Sequence, residues 1–219
     1  MKRFAFTMLE LVFVIIVIGI LAVFAMPNFR GNQLQTAAEQ VASHIRYTQH
    51  LAMVDDDFNQ SDATWWQERW QIQFENYAPN PGKIYVIYHN LNKDTNENDN
   101  EIARDPHTRQ LMKGADKDIA TPPFKYMDDL LISKKYGITN VTFSAGCNSS
   151  SATSNRIGFD NLGRPYTRSS TATPFGNLLI ANCDISLVHT DGTAVIRVHP
   201  ETGHVCILDA VTGLCQGVN

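Results

Sequence analysis

The run from Phe6 to Met26 constrains this chain more than any other feature. It is almost wholly apolar, follows two basic residues, Lys2 and Arg3, and holds one carboxylate, Glu10. As a helix rising 1.5 Å per residue it would be roughly 30 Å long, enough to cross a hydrocarbon core. Lys2 and Arg3 would remain cytoplasmic, so the chain after Pro27 would lie outside. Read as a secretory signal peptide, the segment offers Val23-Phe24-Ala25 as a small-residue cleavage site. Read as a plain anchor, it spans and stays. Neither reading accounts for Glu10, because an acidic side chain in the bilayer costs about 3 kcal/mol and normally marks a function.

Beyond Pro27 the pattern changes. Ala37, Ala38, Val41, Ile45, Thr48 and Ala52 recur at three- and four-residue spacing, the stripe of an amphipathic helix. The helix is therefore expected to continue to about Val54, bent at Pro27, whose ring removes a backbone donor. Asp55-Asp56-Asp57 would stop it, since negative charge at a helix C-terminus opposes the dipole. Strand patterns follow at Trp70–Phe74, which alternates, and at Ile84–Tyr88, Ile138–Phe143 and Arg156–Phe159. Leu178–Val188 then turns through His189-Thr190-Asp191-Gly192 into Thr193–His199, and a second turn at Pro200–Gly203 leads into His204–Leu208. These elements predict an α+β chain: a long N-terminal helix packed on an antiparallel, two-sheet β domain.

At 219 residues the chain can bury a core of its own. Its net charge of −4 shows no basic excess of the kind nucleic acid or anionic lipid attracts. The four cysteines, Cys147, Cys183, Cys206 and Cys215, include no C-x-x-C pair and no histidine at zinc-finger spacing. An even number after an anchor reads as two disulfides in an oxidising compartment. Three pairings are open; the one favoured joins Cys206 to Cys215 and Cys147 to Cys183.

Two segments carry a resemblance. Phe6-Thr7-Met8-Leu9-Glu10-Leu11 closely resembles the F-T-L-I-E-L signature of type IV prepilins and type II secretion pseudopilins. The resemblance implies cleavage between Ala5 and Phe6 by a prepilin peptidase, methylation of Phe6, and Glu10 as the fifth residue of the mature chain. There Glu10 would pair with a neighbouring subunit's N-terminal ammonium and set register in a filament. Pro27 stands where the family has its helix-kinking proline, whereas Ala5 stands where it usually has Gly. Further on, Ile185-Ser-Leu, Asp191-Gly192, Val195-Ile196-Arg197-Val198 and Thr202-Gly203-His204-Val205 resemble the C-terminal hairpin of GspH/FimT-type minor pseudopilins. So do Phe159–Pro165 and the Trp65/Trp70 region.

The resemblance implies a type IV pilin-like fold: leader 1–5, transmembrane assembly helix 6–26, its continuation 27–54, and periplasmic β domain 55–219. It implies a bacterial inner-membrane location, with other pilins or pseudopilins and the prepilin peptidase as partners. No hydrolase, P-loop, zincin or dinucleotide motif is present, so neither enzyme nor cofactor is expected. The seven histidines are scattered and read as solvated. Asp94, Asn96, Asn98 and Asp105 loosely resemble a calcium loop, without its central Gly or closing Glu; a solvated Asn/Asp loop is the favoured reading, so no metal is expected. Some FimT-type proteins bind DNA through a basic C-terminal motif, but Asp209–Asn219 here contains no Lys or Arg.

Overall fold

The computed structural model describes residues 7–29, 33–55, 58–76, 82–94, 97–116, 125–147, 155–167 and 173–216, with the backbone alone for 22–29. It divides into two units, Met1–Gln33 and Leu34–Asn219.

The first unit is helix α1, Met8–Phe29. Thr7 begins it: the Glu10 amide donates to the Thr7 hydroxyl at 3.3 Å and to its carbonyl at 3.1 Å. Thr7-x-x-Glu10 has the spacing of a capping box, and the Glu10 carboxylate stands where the helix dipole favours negative charge. The expectation of a pilin-like fold with one long transmembrane helix is not met. The residues expected to form that one helix fall into two elements of 22 residues each, α1 and α2 (Gln33–Val54), and 30–32 lie outside the described residues. Among the described residues no helix is long and apolar enough to cross a membrane. The physical reason for the break lies in the backbone: α1 ends at Phe29, two residues after Pro27, whose ring removes a backbone donor. Pro27 lies in the last turn of α1 rather than inside a continuous helix to Val54.

In the second unit α2 buries Ala37, Ala38, Val41, Ile45, Thr48 and Ala52, the six residues of the stripe, together with Ala42. Small residues along that stripe let the sheets approach closely. The larger sheet has strand order β4-β3-β2-β1-β6-β7, from β1 (Trp70–Asn76), β2 (Lys83–His89), β3 (Leu111–Gly114), β4 (Tyr126–Met127), β6 (Arg156–Phe159) and β7 (Pro165–Tyr166). All its pairings are antiparallel except β3 with β4. The smaller sheet, β10-β9-β8-β5, is wholly antiparallel and uses β5 (Asn140–Phe143), β8 (Cys183–His189), β9 (Gly192–Val198) and β10 (Val205–Ile207). One core cluster joins the α2 stripe to Ile72, Phe74, Tyr85 and Ile87 of the larger sheet and to Ile185, Leu187, Ile196, Val198 and Val205 of the smaller.

The larger sheet is covered on both faces. Val86, Tyr88, Ile102 and Leu111 form a second cluster with Tyr126 packed against it. Strand β1 therefore departs from the expected alternation: Gln71 and Gln73 are buried rather than solvated. Gln73 accepts a hydrogen bond from the Tyr88 hydroxyl at 2.9 Å, and Arg156 Nη1 donates to that same hydroxyl at 3.1 Å. A short helix, α3 (Ile132–Tyr136), closes on Gly137, whose φ of 68° supplies the left-handed residue a helix end favours.

Candidate functional site

The assembly residues come first. Ala5 and Phe6 lie outside the described residues. Glu10 is exposed in the first turn of α1, and its helix is exposed on every side as far as Leu21. Met8 and Leu9 are 84% and 83% exposed, and Phe13 and Ile15 follow at 68% and 61%. Withdrawing one such side chain from water contributes about 1.5–3 kcal/mol. Four of them would give roughly 6–12 kcal/mol, which exceeds the cost of about 3 kcal/mol for an acidic group in apolar surroundings. Covering this apolar surface would therefore outweigh the cost of Glu10, which stands at the N-terminal end of the helix.

The cysteines form Cys147–Cys183 and Cys206–Cys215. The first, with Cα atoms 4.5 Å apart, ties the turn after β5 to the start of β8 inside the core. The second, at 5.5 Å, clips the C-terminal segment onto β10 beside the Leu208–Cys215 bridge. His199 Nε2 lies 3.8 Å from Cys206 Sγ and 3.6 Å from Cys215 Sγ. This is the one convergence of three potential metal ligands among the described residues, and the two sulfurs are already spent on each other.

In the acidic loop Asn96 lies outside the described residues, and no three His, Cys, Asp or Glu side chains converge there among those described. Its carboxylates are taken up by the protein itself. Glu101, buried, accepts the amides of Asn92 and Asn98 at 2.8 Å each and the Asn98 side chain at 3.1 Å. Asp99 pairs with Lys125 and accepts the Tyr126 hydroxyl at 2.7 Å, and those contacts, Lys125 foremost, hold its carboxyl below the usual range. Glu97 pairs with Lys113. Asp105 accepts the Thr108 hydroxyl at 2.6 Å and amide at 2.8 Å, closing a turn.

Two histidines correct the expectation of solvated rings. His44 packs against β2 with Nδ1 2.7 Å from the Tyr85 hydroxyl, and burial pushes its pKa down. His89 is buried and stacks on Trp70 at 4.9 Å. Trp65 and Trp66 are half-buried and edge-on to each other.

The segments resembling minor pseudopilins meet at α2. Gln49 Nε2 donates to Gly163 O at 2.8 Å and to Thr202 O at 3.0 Å, and Arg46 Nη2 donates to Val205 O at 2.8 Å. Nothing in the apolar pattern marked Gln49 or Arg46, because both lie off the buried stripe. Arg197 is held by Asp184 through two bonds of 2.7 Å across the β8–β9 pair, so it is not a spare cation for phosphate.

No family model, curated protein or solved structure matches this chain.

Proposed function

We propose that the chain is a non-enzymatic, extracytoplasmic subunit of a pilin-like filament or secretion assembly, a minor pseudopilin that joins its neighbours through α1. The observation that carries this reading is the exposed apolar surface of α1 with Glu10 in its first turn. Two disulfides in the β-rich unit support an oxidising compartment. The finer location, the periplasmic side of a bacterial inner membrane, rests on the resemblance of Phe6–Leu11, behind the basic Lys2 and Arg3, to the prepilin signature. The partners are other subunits carrying the same kind of helix and the peptidase that cuts before Phe6. Filament subunits need no catalytic constellation, so the reading requires none here.

Processing tests this directly. Intact-mass measurement on the protein isolated from a bacterium that assembles it should show loss of Met1–Ala5 and gain of one methyl group. A mature chain beginning at Met26 would overturn the reading.

A further inference from the structure

A cleft of about 200 Å³ opens on the larger sheet's flank, walled by Phe58, Trp65, Trp66, Tyr166 and Phe175. Its position follows from local structure. The 3-10 turn Trp65–Gln67 enters β1, the Asp160–Arg164 turn leaves β6, and Pro174–Phe175 returns toward β7. Arg69 also lines it and is only 4% exposed. Its guanidinium lies 3.6 Å from the Tyr166 ring centroid, and Nη2 donates to Pro174 O at 2.6 Å. Nη1 is buried and has no hydrogen-bond partner among the described residues.

The two carboxylates of the cleft are hydrogen-bonded to other groups, and the Asp160 charge acts on Arg69 without a hydrogen bond to it. Glu68 is paired with Lys93 at 2.9 Å. Asp160 accepts Arg164 Nε at 2.8 Å, the Tyr166 hydroxyl at 3.1 Å and the amides of Leu162 and Arg164. The Tyr166 face offsets part of the guanidinium charge but offers Nη1 no acceptor. A guanidinium stays charged at any physiological pH, and a buried donor of a charged group left without an acceptor is costly. A carboxylate is the group whose geometry matches it.

We propose that this cleft binds a small aromatic carboxylate, its anionic end on Arg69 and its ring between Trp65, Trp66 and Phe175. The size fits one ring and little more, since an apolar cavity of about 150 Å³ accommodates benzene. Aromatic walls set the orientation; of the two guanidiniums lining the cleft, Arg164 is paired with Asp160, so Arg69 supplies discrimination against neutral analogues.

The test is a titration of the full chain, disulfides intact, with 3-phenylpropionate and with the neutral 3-phenylpropanol, read by tryptophan fluorescence and by heteronuclear NMR. The acid should saturate the site with a Kd of about 1 mM or tighter and bind at least tenfold better than the alcohol. Arg69→Met should erase that preference, whereas Trp66→Leu should weaken acid and alcohol together by roughly tenfold. Circular dichroism would confirm that both variants fold, and Trp66→Leu keeps the test decisive if Arg69→Met does not. Equal affinity for acid and alcohol, or no saturable binding by the folded wild type, would overturn the proposal.

Discussion

Gln49 reaches from α2 to carbonyls in two turns that belong to different sheets, Gly163 O and Thr202 O. Gly203, beside the second, has a φ of 64°, and a Cβ there would come within 2.5 Å of both Gln49 Nε2 and Gly163 O. Conformation and space thus both demand glycine. Gly203→Ala should destabilise the β-rich unit by about 1–3 kcal/mol, read as a lower urea midpoint, and an unchanged midpoint would refute the clamp. His44 gives a pH prediction at the same scale. Burial depresses its folded pKa, with Asp105 and Asp129 opposing more weakly, so the native chain takes up the proton less readily than the unfolded one. The unfolded chain binds that proton near pH 6.5, so the group's contribution is full above that value and is lost as pH falls. The urea midpoint should drop between pH 7.5 and 5.5, and His44→Gln should flatten the drop. His199, whose pKa is also lowered by burial, leaves a residual slope in the variant. A drop of the same size in His44→Gln would contradict this assignment.

At the scale of elements, legibility followed periodicity. The α2 stripe and the β8–β9 hairpin through Asp191-Gly192 stand where residue patterns place them, because each has one face more buried than the other; strand β6 also stands where expected, although Ile157, Gly158 and Phe159 are all buried. Strand β1 misled, since Gln71 and Gln73 read as solvent-facing while both sheet faces are covered. The cover comes from residues between β2 and α3, whose Asn/Asp-rich composition signals loop. It is nevertheless pinned by Glu101 and by the Tyr88–Ile102 and Arg104–Leu111 bridges. Strands β3 and β4 are short and hold few apolar residues, too few to set a period. The aromatic cleft was not legible in the sequence, because Arg69, Asp160 and Phe175 come together from distant parts of the chain. Disulfides act at this scale too. The chain-entropy relation gives about 4 kcal/mol for Cys147–Cys183, which spans 36 residues, and about 2.5–3 kcal/mol for Cys206–Cys215, which spans 9. Cys147→Ala with Cys183→Ala should therefore lower the urea midpoint more than Cys206→Ala with Cys215→Ala. The reverse order would show that the buried pair closes no entropic loop of consequence.

At the scale of the whole molecule, a β-rich unit stabilised by its own core and two disulfides accompanies a helix that exposes its apolar side chains throughout the described stretch. The first unit is where recognition of other subunits is proposed. Glu10 has two roles open to it: a first-turn carboxylate that caps α1, or a partner for a neighbouring subunit's N-terminal ammonium. Photo-activated cross-linking from Phe13, in cells that make the assembly, separates them in wild type and Glu10→Val. The account predicts adducts with other pilin-class subunits in wild type and an at least fivefold loss, about 1 kcal/mol, in Glu10→Val, with both disulfides still formed. Undiminished adducts in Glu10→Val, or none in wild type, would contradict it.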